Sequence, residues 1–122
     1  MKKYIYSILA LLVLALIIFI IASPGKPGKY DTFAQCIKDN GAIFYGTFWC
    51  PHCQAQKTRF GKSAKLLPYV ECSTPDGQGQ MPVCKDASVT SYPTWKFADG
   101  SVKVGEVELS ELASTTGCTL PQ

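Results

Sequence analysis

The residues best equipped for chemistry are Cys50 and Cys53, two positions apart in "FYGTFWCPHCQAQKTRF" (44–60), with the chain's one histidine, His52, between them. A Cys-x-x-Cys pair can be a redox couple, half of a zinc site, or a structural disulfide. Placement discriminates among these. An apolar, aromatic run ends just before Cys50, and Pro51 opens a polar, helix-like run. Proline suits the first helical position, where its missing N–H costs nothing. Cys50 is thereby expected at a strand-to-helix junction, its sulfur facing unpaired backbone N–H groups and the positive end of a helix dipole. Such a setting favours the thiolate, which is the nucleophile of thiol–disulfide exchange. Cys53, one turn further on, is expected deeper and able to attack a mixed disulfide formed at an exposed Cys50. His52 can support the thiolate by a hydrogen bond or as imidazolium, and its plainer role is an exposed spacer. Zinc is the rival reading. Cys36, Cys72, Cys84 and Cys118 make no second Cys-x-x-Cys unit, and His52 cannot easily ligate with both neighbours, so no metal is expected.

If Cys50 pairs with Cys53, the other four cysteines leave three connectivities. Cys72 with Cys84 is the short closure across a flexible loop, and by elimination Cys36 and Cys118 tie the first helix of the domain to its end. Six cysteines in a short chain suit an oxidising compartment, where covalent staples help a small core.

The elements that must position the pair are legible as an alternation. Asp31 or Thr32 can cap a short helix carrying Phe33, Cys36 and Ile37 on one face, stopped by Asn40-Gly41. "AIFYGTF" (42–48) reads as a buried strand. A helix follows from Pro51 to about Leu67, kinked at Gly61 and stopped by Pro68. "YVEC" (69–72) is a short strand, 73–82 a loop, and a short helical piece lies near 84–88. "TWKFADGSVKVG" (94–105) is a hairpin closed by a two-residue Asp99-Gly100 turn. A last helix carries Leu109, Leu112 and Ala113 and ends at Gly117. The order predicts an α/β domain: a mixed central sheet with helices on its faces.

Ahead of that domain, residues 4–22 (YIYSILALLVLALIIFIIA) carry no charge. At helical rise they span about 28 Å, close to a bilayer's hydrocarbon core. A cleaved signal peptide competes, but its apolar core is shorter and the residue three before a cut after Ala22 is the bulky Ile20. Residues 1–22 are expected to be one N-terminal transmembrane helix, 23–29 ("SPGKPGK") a linker, and 30–122 the domain. Lys2 and Lys3 place the N-terminus in the cytoplasm and the domain outside it, on a single-pass membrane protein. The net charge of +3 owes much to four lysines flanking the apolar segment; from Tyr30 onward eight basic residues face nine acidic ones. A domain so balanced has no footprint for nucleic acid. Lys57, Arg59, Lys62 and Lys65 line the long helix, and Glu106, Glu108 and Glu111 flank the last; they could pair if those helices are neighbours, and solvated surface charge is the plainer account.

"FWCPHC" (48–53) after a strand, with "SYPTWKF" (91–97) opening the hairpin, resembles the thioredoxin superfamily over nearly all of residues 31–118. The resemblance implies a thioredoxin-like fold, with Pro93 as a cis-proline that faces the disulfide and keeps metals from the sulfurs. It implies that the Tyr92 backbone pairs with a substrate chain, on a surface that includes Trp49, and it supports the Cys72–Cys84 pairing. A closer likeness, carried by "FWCPHCQAQKTRFGKSAKLLPYVEC" (48–72), a Gly-rich loop, a further Cys and "YPTW" (92–95), is to the thioredoxin-like domain fused to bacterial vitamin K epoxide reductase homologues. Here a single anchor stands in place of the reductase's membrane part. One position departs from the wider family. Six residues before the first active-site cysteine many members hold a buried acid that relays protons, and this chain has Phe44.

These readings converge on a membrane-tethered, extracytoplasmic thiol–disulfide oxidoreductase, with Cys50, Pro51, His52 and Cys53 as its centre. It is expected to oxidise the cysteines of exported proteins and to use no cofactor. Its partner by resemblance is a quinone-linked membrane protein similar to vitamin K epoxide reductase. A reductase or isomerase fed from the cytoplasm is the rival within the class, and a disulfide-stapled binding module the rival outside it.

Overall fold

The computed structural model describes residues 1–22 and 25–122; Ser23 and Pro24, the first two positions of the expected linker, lie outside the described residues. Helix α1 (Lys2–Ala22) buries none of its side chains. It is long and apolar enough to cross a membrane, and a signal sequence passes the same test.

From residue 30 the chain forms α2 (Asp31–Asp39), β1 (Ile43–Gly46), α3 (Pro51–Phe60), a 3₁₀ segment (Gly61–Leu66), β2 (Tyr69–Glu71), α4 (Pro82–Asp86), β3 (Thr94–Lys96), β4 (Val102–Val104) and α5 (Leu109–Thr116). The four strands make one mixed sheet in the order β2-β1-β3-β4. β1 runs parallel to β2 and antiparallel to β3, and β4 is antiparallel to β3.

Period-two alternation along β1 divides the core. Phe44 joins Phe33, Ile37, Phe60, Trp95, Phe97 and Leu112 in the larger apolar cluster, where α2, α3 and α5 pack. Tyr45 joins Cys72, Cys84 and Val89 in a smaller one. The Phe44 and Trp95 rings stack at 4.7 Å, binding β1 to β3, and Phe33 stacks on Phe60 at 5.9 Å, binding α2 to the end of α3. At the acid position of the wider family, then, an aromatic ring holds the central strands together.

Three local expectations change. The α-helix after Pro51 ends at Phe60, because Gly61 takes φ +54° and ψ −127°, open to glycine and strained for other residues; a 3₁₀ segment follows in place of a kinked helix. The hairpin closes with three residues: Phe97 N–H donates to Ser101 O and Gly100 N–H to Phe97 O, while Asp99 Oδ1 accepts from Ser101 N–H. Neither Asp31 nor Thr32 caps α2. Tyr30 occupies that position without a side-chain cap; its own N–H is given to Ser63 Oγ, 33 residues away, and Asp31 accepts from Gly28 N–H.

Two disulfides brace the domain. Cys36 on α2 is joined to Cys118 beyond α5, and Cys72 after β2 to Cys84 on α4. By chain entropy the loops closed by these bonds, 82 and 12 residues in separation, correspond to about 4.5 and about 3 kcal/mol. Replacing Cys36 and Cys118 together by alanine is expected to lower unfolding free energy by about 2–5 kcal/mol, read by denaturant titration, while Cys50 and Cys53 remain reactive. Unchanged stability would mean that the bond constrains little.

Candidate active site

Helix α3 begins where the sheet's central strand stops. After β1 the chain turns through Thr47, whose carbonyl accepts from Cys50 N–H at 3.2 Å, and Cys50 takes the N-cap position in extended conformation with Pro51 next. The cap is a sulfur. Cys53 N–H donates to Cys50 Sγ at 3.2 Å, so one of the orphan amides of the helix start points at the thiol. Both cysteines carry free thiols. Cys50 is nearly buried, 4% exposed, against the exposed position expected for it, and Cys53 is fully buried at 0%. Whatever meets this pair from solvent meets Cys50 first. Its flanks are open instead: Phe48 and Trp49 are 51% and 53% exposed, and Pro51 and His52 are exposed.

Close approach at Gly46 makes room for Cys53. A Cβ there would lie 2.9 Å from Cys53 Sγ and 2.9 Å from Tyr69 Cε2, so the bare backbone of β1 lets sulfur and ring share one space. Burial first, and then the hydrogen bond with Cys50, pushes the Cys53 thiol up to about 12. Burial and the neighbouring Glu71 carboxylate push the Tyr69 phenol upward as well.

The loop before α3 is tied from beneath. Glu71 Oε1 accepts from Phe48 N–H at 3.2 Å and from Ser73 N–H at 2.8 Å, while its Oε2 accepts from Tyr69 Oη–H at 2.8 Å. Trp49 Nε1–H donates to Ser73 Oγ at 3.0 Å, and its ring meets Tyr92 edge-on at 6.1 Å. Tyr92 Oη in turn is held by the Gln80 amide at 2.7 Å. The structure therefore brings Trp49 and Tyr92 to one side of the pair, next to the segment braced by Cys72–Cys84. The Tyr92–Pro93 peptide bond is cis, and Pro93 is buried.

On its other side the pair is flanked by charge. His52, Gln56 and Arg59 follow one another at helical spacing along α3, and Glu106, Val107 and Glu108 run beside them. The buried Gln56 amide clamps the Val107 backbone, donating to its carbonyl at 3.0 Å and accepting from its N–H at 2.7 Å. That clamp sets His52 Nδ1 2.8 Å from Glu106 Oε1 and Arg59 3.2 Å from Glu106 and 2.6 Å from Glu108. His52 first, then Arg59, holds the Glu106 carboxyl below its usual range, and the two glutamates raise the Arg59 guanidinium. Of the two readings of these charges, pairing holds for Arg59 with Glu106 and Glu108, and Lys103 also pairs with Glu111. Glu106, Gln56 and Glu71 were missed as site residues. The stripe at 52, 56 and 59 was a usable signal for Gln56, whereas nothing local marks Glu106 or Glu71. Among the described residues no three His, Cys, Asp or Glu side chains gather closely enough to hold a metal ion.

A family model described as Thioredoxin matches residues 28–115. The chain is 46% identical over 94 residues to Thiol-disulfide oxidoreductase LTO1 of Arabidopsis thaliana, covering 73% of this chain and 24% of that protein. It is 33% identical over 73 residues to Protein disulfide-isomerase A2 of Homo sapiens and of Pongo abelii, covering 54% of this chain and 14% of theirs. It spans about a quarter or less of these relatives' length. A mixed four-stranded sheet, a Cys-Pro-His-Cys sequence opening the helix after its central strand, and this match agree: the chain belongs to the thioredoxin family.

Proposed function

We propose that this chain is a membrane-tethered thiol–disulfide oxidoreductase, its domain outside the cytoplasm, that oxidises the cysteines of exported proteins through a Cys50–Cys53 disulfide. The observation that carries this reading is the sulfur cap of α3, with Cys53 N–H donated to Cys50 Sγ. An amide aimed at the sulfur, at the positive end of a helix, stabilises the reduced pair, and a stabilised reduced form makes its disulfide a stronger oxidant. Activity in the named relatives, a thiol–disulfide oxidoreductase and a disulfide-isomerase, supports the reaction class.

In the proposed reaction a substrate thiolate attacks Cys50 Sγ, the Cys50–Cys53 bond breaks, and the electron pair leaves on Cys53. A second substrate thiolate then attacks the substrate sulfur of the mixed disulfide. It forms the new bond and releases Cys50 as a thiolate, so that the substrate loses two electrons and the enzyme pair gains them. Pro51 and His52 shape the approach to Cys50, and Trp49 with the Tyr92–Pro93 segment receives the substrate chain. Reoxidation falls to a quinone-linked membrane partner. The likeness of residues 48–95 to the thioredoxin-like domain of bacterial vitamin K epoxide reductase homologues points to a partner of that kind. Residues 1–22 serve as the anchor, with Lys2 and Lys3 on the cytoplasmic side. A linker of 23–29, at most about 25 Å long, keeps the domain near that partner.

Equilibrium with glutathione is expected to give the pair a potential nearer the about −120 mV of strong oxidants than the about −270 mV of thioredoxin, and Cys53→Ala is expected to trap substrates on Cys50 in cells. A potential near thioredoxin's turns the direction to reduction, and an absence of trapped species, with function kept in Cys50→Ala, leaves a binding module. A third outcome concerns pH. Because the folded Cys53 thiol is pushed up to about 12, it contributes stability that is full below the ordinary thiol value of about 8.5 and lost as pH rises toward 12. Compared with Cys50→Ser/Cys53→Ser, the Cys50→Ser protein is expected to lose about 1–2 kcal/mol between pH 7 and pH 10 in urea titrations, and parallel curves would contradict it.

A further inference from the structure

Helix α3 carries one more charged group near Cys53. Lys57 follows Cys53 by four positions, one turn along the same face. Its Nζ lies 3.4 Å from the centroid of the Tyr69 ring. That ring edge and Cys53 Sγ flank the same point at Gly46, each 2.9 Å from it. Lys57 is half-buried, and its ammonium lies over the ring that shares this space with Cys53. The ionisable groups around this space are Cys50 from the start of α3, Tyr69 from β2 and, bonded to the Tyr69 hydroxyl, Glu71. Glu71 is already committed to three donors, those of Phe48, Tyr69 and Ser73. From β1 the residue in the acid position is Phe44, which is buried and uncharged.

We propose that Lys57 is the positioning residue for the leaving sulfur: seated on Tyr69, its charge stabilises the Cys53 thiolate released when a thiolate attacks Cys50. This rests on the exchange reaction proposed above. In that step the incoming sulfur bonds to Cys50 Sγ as the Cys50–Cys53 bond breaks, the incoming thiolate is oxidised to the disulfide level, and Cys53 is reduced. The incoming thiol has already given its proton to water, and Cys53 later takes one from solvent. A negative charge thus appears on a buried sulfur, where an uncompensated charge is costly and a nearby cation acts strongly. Among the described residues Lys57 is the one cation whose charge bears on Cys53, opposing the upward push of burial. Cation–π contact with Tyr69 holds it there without neutralising it.

The test uses the full chain in detergent, oxidised at Cys50–Cys53, and follows its reduction by glutathione through quenching, alkylation and mass. Lys57→Met keeps the stem on Tyr69 and removes the charge; it is expected to slow reduction by about three- to tenfold. In a Cys50→Ser background it is expected to move the pH midpoint for Cys53 alkylation upward. Lys57→Arg is expected to restore both to near the wild-type values. Should Lys57→Met fail to fold, Lys57→Gln carries the same comparison. A neutral variant with wild-type rate and midpoint overturns the proposal, as does an arginine variant as slow as the neutral one, which would leave Lys57 a packing role. Wild-type protein inert to glutathione would instead overturn the exchange reaction, and this inference with it.

Discussion

A backbone amide donated to a sulfur, Cys53 N–H to Cys50 Sγ, sets the terms for the rest of the domain. It exists only if a strand ends and a helix begins within the four residues that separate Gly46 from Pro51. It also requires Cys50 to keep an extended backbone at the helix start. The sheet secures the first condition. β1 is central, paired on both edges, and locked to β3 by the Phe44–Trp95 stack. Proline at the first helical position secures the second, because its ring disfavours the helical region for the residue before it. Core packing and sulfur chemistry are therefore one arrangement: loosening the stack shifts the strand end, and with it the cap.

Around that junction the two flanks differ in character. One is aromatic and tied down, with Trp49 and Tyr92 held through Ser73 and Gln80, and Glu71 gripping the loop backbone. The other is ionic and exposed, with His52, Arg59 and two glutamates aligned by the buried Gln56. Exposed ion pairs contribute little to stability. The value of the second flank lies in where it holds the imidazole, turned by Nδ1 toward a carboxylate. The first flank is rigid for a covalent reason, since the segment carrying Ser73 begins beside the Cys72–Cys84 bond.

How much of this was legible in the sequence follows from the range of the forces involved. Pro51 after an apolar run announced the junction, because helix initiation and strand burial are local signals. The mixed sheet followed from the order of elements. What escaped depends on partners far along the chain. Tyr30 starts α2 against Ser63, 33 residues away, so the nearby Asp31 was an unreliable cap signal. Glu71 serves Phe48, 23 residues earlier, and carries no mark of it. Cys50 proved nearly buried because neighbours brought by the fold cover it, which exposure patterns along one helix do not encode. The stripe of His52, Gln56 and Arg59 is the instructive case. Its spacing was visible, but its meaning required the extended segment of residues 106–108, between β4 and α5, that the fold lays beside it.

The Cys36–Cys118 bond has a topological consequence. It turns the backbone from residue 36 to residue 118 into a covalent ring that encloses the whole sheet and both redox sulfurs. One peptide bond cut by a protease anywhere inside that ring opens it without dividing the molecule. Both pieces remain attached to the N-terminal apolar helix, and the sheet is left the chance to hold its shape.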